Sequence, residues 1–400
     1  MTINLSSRAR NASPSATLAI AAIAKQMKAE GIDVVDFGLG EPDFETPAHV
    51  KEAAIAAIRD GFTRYTAAAG IDELKQAITT KLKRDNGLSY RPAEVIVSCG
   101  SKHSLFNIAE VLFESGDEVI VPAPYWVTYT EQIRLVDARP VIVQTREEDG
   151  FHLTREALEP AITPKTKAIL LNSPCNPTGA MVPLEQLRAI AALAVERDLL
   201  VISDEAYESL TYDGHAHTSI ASLGEEIKSR TILVNSVSKA YAMTGWRIGY
   251  AAGPAEIIKA MGTIQSQVTS NPTSIAQKAA VAAILGPHDD LRAMVIEFDR
   301  RRKYLIDRLH AIPGITCTNP EGAFYLFPNV SSFYGAVANG RPIRNSAEMA
   351  TYLLQTARVV LVPGSEFGSD AHLRLSYATP IESISKGVER IERALDVLRR

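Results

Sequence analysis

The 400-residue chain carries 42 Lys and Arg against 46 Asp and Glu, a formal net charge of -4, with 46% hydrophobic and 22% charged residues. This is the ordinary balance of a globular protein, and it leaves no electrostatic case for a nucleic-acid or anionic-membrane binder. The length asks for one large and one smaller domain rather than a single small core.

In chain order, the opening MTINLSSRAR lacks the apolar stretch of a signal peptide, and no later run reaches the roughly 18 apolar residues of a spanning helix. Ser15 to Glu30 reads as a helix with Leu18, Ile20, Ile23 and Met27 as its apolar stripe. Val34 to Phe37 is a short strand running into Gly38-Leu39-Gly40-Glu41-Pro42. From about residue 48, helical stretches alternate with short β-branched runs. These are Val95–Ser98, Glu118–Val121, Arg139–Val143, Ala168–Asn172, Leu200–Ser203, Thr231–Val234 and Gly249–Ala252. Short apolar runs of this kind fit strands covered on both faces, and their alternation with helices predicts an α/β, doubly wound, mainly parallel sheet. Beyond about residue 290, a charged helix Asp299–His310, the segment Gly322–Phe327, a strand His372–Ser376 and a last helix ending at Arg399 suggest a smaller α+β domain. The expected division is 48–290 for the large domain, with 1–47 joining 291–400 in the small one.

Cys99, Cys175 and Cys317 are far apart and odd in number. Neither zinc spacing nor a disulfide framework follows, so no metal is expected, and a reducing cytoplasm is the simplest compartment.

The most informative segment is Asn235-Ser236-Val237-Ser238-Lys239, with Arg247 eight positions beyond the lysine. A lone loop lysine is ordinarily a surface residue. Here it follows a buried-type strand, beside two hydroxyls and a guanidinium that can hold a phosphate. A lysine in such a place can form a Schiff base with an aldehyde cofactor once the local field lowers its pKa. Asp204, in Ser203-Asp204-Glu205-Ala206-Tyr207, falls at a strand's carboxyl end, where open α/β sheets bind ligands. As a helix cap it would be unremarked, but it is also the carboxylate a protonated pyridine nitrogen needs. Tyr207 and Asn176, the latter in a turn of Asn, Pro and Gly, are placed to reach a phenolic oxygen at the same edge. Ser101 opens a helix after a glycine turn, a ready phosphate site. Trp126 follows another strand end, where its indole can stack on a ring or simply pack. Arg374, among apolar neighbours, can clamp a carboxylate bidentately.

Together these segments resemble the fold-type I, class I/II aminotransferases that depend on pyridoxal phosphate, and within them the one-beta subgroup of bacterial aspartate aminotransferases. The likeness runs from Pro14-Ser15-Ala16-Thr17 through Gly40-Glu41-Pro42-Asp43-Phe44 and Tyr65 to Arg374-Leu375-Ser376-Tyr377-Ala378. It implies a mixed, mostly parallel seven-stranded sheet. Lys239 is implied as the cofactor lysine and general base, Asp204 on the pyridine nitrogen, and Asn176 and Tyr207 on the phenolic oxygen. Ser101, Ser236, Ser238 and Arg247 are implied as phosphate ligands, with Tyr65 reaching the phosphate of a neighbouring subunit in a homodimer. Trp126 would stack on the ring, and Gly40, Asn176 and Arg374 would hold the α-carboxylate. Lys102, helped by Ser15 and Thr17, would take the distal carboxylate of a dicarboxylic substrate.

Two departures, His103 where Gln is common and Cys175 where Asn is common, bear on fine specificity rather than on the reaction. The implied activity is amino transfer between L-aspartate and 2-oxoglutarate. Prephenate is an alternative acceptor, although Ser13 stands where such enzymes often have Lys. A carbon–sulfur lyase of the same fold is a second class, which Lys102 argues against. A cofactor-binding regulator is a third, but the fold consumes the chain from about residue 10 and leaves no room for a DNA-binding segment.

Overall fold

The computed structural model describes residues 3–14, 16–338 and 340–399. Its centre is a seven-stranded sheet of β1 (Val95–Ser98), β2 (Glu118–Ala123), β3 (Arg139–Gln144), β4 (Thr166–Asn172), β5 (Leu200–Asp204), β6 (Thr231–Ser236) and β7 (Gly249–Ala252), in the order β1-β7-β6-β5-β4-β2-β3. All neighbours run parallel except around β7, which is antiparallel to both β1 and β6. The inner strands are apolar because helices cover both faces; β6 and β7 are buried along their whole length, as is the edge strand β1. The edge strand β3 departs from the expectation of two covered faces. Only Val143 is buried there, with Arg139 and Gln144 exposed, as an edge strand permits.

Topology delivers the functional segments to one edge. The carboxyl ends of β1, β4, β5 and β6 lead directly to Ser101, Asn176, Tyr207 and Lys239. Because β7 is reversed, its first residue, Gly249, pairs with Ser98 and Ser236, so the segment before it, including Arg247, arrives at that same edge.

Around the sheet run α1 (Asp72–Asn86), α2 (Ser101–Leu112) and α3 (Thr128–Leu135). Further on, α4 spans Asp289–His310, starting well before the expected Asp299, and α5 spans Ile381–Leu398. They pack on a small antiparallel sheet, β9-β10-β8, of β8 (Tyr325–Leu326), β9 (Val362–Pro363) and β10 (Leu373–Ser376). Val35–Asp36 pairs in parallel with Val359–Val360, and Val35 and Phe37 join one apolar core with Phe298, Leu305, Tyr325, Leu375 and Ile391. The expected helix from Ser15 is present as Ala16–Ala29. Among the described residues, no helix is long and apolar enough to cross a membrane.

Candidate active site

A cleft of about 390 Å³ opens at the carboxyl edge of the large sheet, its far wall supplied by Gly38–Glu41, Tyr325 and Arg374. Its size suits a small ligand. Four cations line it, Lys102, Lys239, Arg247 and Arg374, against two carboxylates, Asp204 and Glu41. None of the four cations forms an ion pair with an acid among the described residues. The cleft is therefore built for anions.

Arg374 is the sharpest case. It is 1% exposed, and it donates through Nη1 to Asn176 Oδ1 at 3.0 Å and through Nη2 to the Gly38 carbonyl at 2.8 Å. Its Nε is buried without a partner among the described residues, and burial lowers its pKa against the opposing influence of Tyr325 and Tyr207. The guanidinium lies 4.5 Å from the Tyr325 ring centroid. A buried cation with an idle donor and no counter-ion fits an incoming carboxylate. At the other end, Lys102 stands 4.9 Å from the Trp126 ring, its pKa lowered by burial and by Arg247.

A cradle suited to an anion forms where α2 begins. Gly100 adopts φ +91°, and a Cβ there would strike the Arg247 guanidinium; a Cβ on Gly249 would strike the backbone of Gly100 and Ser101. Bare backbone thus meets the helix N-terminus, where free N–H groups favour an anion. Arg247, itself at φ 58°, is held over this point by its Nη1 bond to the Thr244 carbonyl at 2.7 Å. Ser238 lines the cleft, and its N–H donates to Ser236 Oγ at 3.2 Å.

Lys239 points into the cleft and donates to the Gly40 carbonyl. Burial pushes its pKa down to about 8; Glu41 opposes, and Arg374 and Arg247 push the same way as burial. Asp204 moves the other way. Burial raises its carboxyl to about 6 although the Tyr129 hydroxyl, the Ala206 N–H and Lys239 favour its charged form. Tyr129 donates to Asp204 Oδ2 at 2.8 Å, and Ala206 N–H to Oδ1 at 3.2 Å. Tyr207 and Tyr325 share a hydrogen bond of 2.8 Å between their hydroxyls.

Of the residues singled out from sequence, Gly40, Ser101, Lys102, Trp126, Asn176, Asp204, Tyr207, Ser238, Lys239, Arg247 and Arg374 line this one cleft. Ser236 is buried one layer behind, bonded to Ser238, and does not form the wall. Tyr65 is 89% exposed on a loop outside the cleft. Ser15 and the Thr17 side chain lie outside the described residues. His103 and Cys175 do not line the cleft: His103 Nδ1 accepts the Cys99 N–H, and the Cys175 thiol meets the Pro124 carbonyl. Sequence reasoning missed Tyr129 and Tyr325. Tyr129 was findable, since it follows Trp126 by one helical turn and its ring packs edge-on to that indole at 5.4 Å. Tyr325 carried no local signal beyond an apolar strand.

The aminotransferase class I and II family profile matches residues 32–391. The chain is 49% identical over 394 residues to an aspartate aminotransferase of Geobacillus stearothermophilus, covering 98% of this chain and 99% of the relative. It is 45% identical over 392 residues to an aspartate/prephenate aminotransferase of Nitrosomonas europaea, covering 97% and 99%. The crystal structure of the Rhizobium meliloti aspartate aminotransferase superposes with a TM-score of 0.95 at 44% identity, covering 99% of each chain. That of the Thermus thermophilus aspartate aminotransferase with maleate does so at 0.91 and 44%, covering 98% and 100%. With this match over nearly its whole length, the chain belongs to the class I and II aminotransferase family.

Proposed function

We propose that the protein transfers an amino group between L-aspartate and 2-oxoglutarate in a ping-pong reaction, with pyridoxal phosphate as cofactor. One observation carries the reading: Lys239 and Asp204 share a cleft with two further cations, Arg374 and Lys102, that have no acidic partner among the described residues. When bound, pyridoxal phosphate supplies the electron sink that makes the substrate's α-proton removable.

This chain's residues do the rest. Ser101, Ser238 and Arg247 would hold the phosphate, with Ser236, expected beside them, supporting Ser238 from behind, and Tyr65 would reach it from a second copy in a homodimer. Its 89% exposed ring supports that use. Trp126 would stack on the ring, while Asn176 and Tyr207 would donate to its phenolic oxygen. Asp204 would hold the ring nitrogen, where a positive charge favours the carboxyl's ionised form. Lys239 would carry the cofactor, and its Nζ would serve as the base for the α-proton. A pKa of about 8 suits a base working near neutrality. Arg374, with Gly40 and Asn176, orients the α-carboxylate; Lys102, with Ser15 and Thr17, takes the distal one. The same reading divides the chain at 48 and 290, supported by the Val35–Val359 pairing, and places the protein in the cytoplasm.

The test is a spectrophotometric half-reaction with aspartate, glutamate, phenylalanine and alanine. Aspartate and glutamate should convert the bound cofactor to its amine form at concentrations where alanine does not. Lys239→Ala should lose turnover by more than about 10⁴-fold while retaining some cofactor. Near-native turnover by that variant would sink the assignment. Prephenate is the second reading, favoured by two unpaired cations suited to two carboxylates and by the names of relatives such as the Nitrosomonas enzyme. Undetectable amino transfer to prephenate would remove it. Pyruvate and ammonia released from cystathionine without an oxo-acid acceptor would favour the lyase instead.

A further inference from the structure

A buried ion pair that none of these roles uses lies beneath the turn carrying Lys239. Lys81, on α1, and Glu208, just after β5, pair with side chains only 6% and 10% exposed. Glu208 also accepts from Asn86 Nδ2 at 2.7 Å and from Asn235 Nδ2 at 2.6 Å. A second buried pair adjoins it: His217 Nε2 lies 3.2 Å from Glu205 Oε2, and ligand atoms of Glu205, Glu208 and His217 lie within 4.8 Å of one another. Burial pushes the Glu208 carboxyl up, but Lys81, His217 and Asn86 outweigh it and leave it below the usual range.

Such a pair is a poor source of stability. Removing two charges from water offsets most of their attraction, and apolar replacements of similar volume are often neutral or stabilising. Its presence here asks for a geometric reason, and Asn235 supplies one. The Asn235 Oδ1 accepts the Ser236 N–H at 2.7 Å, and Ser236 Oγ accepts the Ser238 N–H at 3.2 Å. An unbroken series of hydrogen bonds therefore runs from Lys81 through Glu208 and Asn235 to the two serines that precede Lys239.

We propose that Glu208 and Asn235 are positioning residues for the cofactor-phosphate turn, Glu208 fixing the Asn235 amide and Lys81 keeping Glu208 charged. The inference rests on the reading of Ser238 and Arg247 as phosphate ligands, with Ser236 holding Ser238 from behind.

The experiment strips the dimer of cofactor and retitrates it with pyridoxal phosphate, following absorbance, beside a thermal melt. The double variant Lys81→Met/Glu208→Leu should weaken pyridoxal phosphate binding about tenfold or more, with a melting midpoint at or above that of the native protein. Asn235→Ala, which cuts the link and spares the pair, should lose as much, and combining it with the double variant should add little further. Glu208→Gln, which keeps an acceptor for Asn235, should lose less than about threefold.

Binding within twofold of native for the double variant, or fully additive losses, would overturn the proposal. If the double variant does not fold, the contrast between Asn235→Ala and Glu208→Gln decides alone. Arg247→Ala is the control: unchanged binding in that variant would instead overturn the phosphate reading, and the proposal with it.

Discussion

Arg302 and Arg374 are equally buried, at 1% exposure each, and differ in their company. Arg302, on α4, donates to Asp299, Asp213, Asn319 and the Pro320 carbonyl, so both its charge and its donors are satisfied within the chain. Arg374, on β10, has one amide oxygen, one carbonyl, two aromatic faces and an idle Nε. A buried charge that is fully answered by its own chain is scaffolding, whereas one left short is addressed to something that arrives.

Exchanging each for methionine should split stability from activity. Arg374→Met should lower kcat/KM for aspartate about 10²-fold or more, the worth of two charge-assisted hydrogen bonds at about 1.5–3 kcal/mol each, and should leave the melting midpoint unchanged or raised. Arg302→Met should cost about 1–3 kcal/mol in urea denaturation, discounted because Asp213 and Asp299 are 38% and 24% exposed and can turn to water, with kcat/KM near native. A midpoint lowered in both variants, with activity held in both, would erase the distinction.

Lys102 extends the comparison to a cation nearer the solvent. Lys102→Met should reduce kcat/KM for aspartate about tenfold while leaving that for alanine within about twofold, because only the former presents a distal carboxylate. Equal losses for both donors would mean that Lys102 does not read the distal group.

The smallest effect belongs to Tyr129. Its hydroxyl favours the charged form of Asp204, so Tyr129→Phe should carry the Asp204 pKa upward from about 6. On the proposed function Asp204 must be ionised to hold a protonated ring nitrogen, whose charge in turn lowers the carboxyl's pKa in the holoenzyme below the cofactor-free value. The acid limb that Asp204 sets in the kcat/KM profile should therefore move up by less than about one pH unit, with no loss at pH 8. Stability follows the opposite sign. A folded pKa above the ordinary 3.8 makes the cofactor-free protein less stable as pH rises from about 4 through 6. An acid limb left in place would show that Tyr129 does not tune Asp204.

What could be read from the chain beforehand was whatever local chemistry announces. Inner strands such as β6 and β7 are recognisable because a doubly covered strand is a continuous apolar run, and both fall where expected. The same rule misjudged β3, since an edge strand of Arg139, Val141 and Val143 looks much like a covered one until its neighbours are known. The early start of α4 escaped because its apolar positions, Met294 and Phe298, are embedded among charges. Lys239, Asp204 and Arg374 stood out through residue type and flanking strands. Tyr325 and Asn235 act through partners distant in sequence, which no local pattern encodes, whereas Tyr129 was within reach through its spacing from Trp126. Tyr65 is a different case, since its ring is 89% exposed and lies outside the cleft of its own copy.

The bond from Arg374 to the Gly38 carbonyl joins positions 336 apart in the chain. Contacts of such separation are made late, after shorter-range helices and strand pairs have formed, because closing a long loop must precede any gain from it. During synthesis, the first wall of the cleft waits in the open while nearly the whole of the rest is translated. The large sheet can assemble with its lysine in place well before a carboxylate has anywhere to dock. On the proposed reading of Arg374, substrate recognition is thus the last property the nascent protein acquires, and a chain that stops short of β10 would form the Lys239 turn without the group that selects what reaches it.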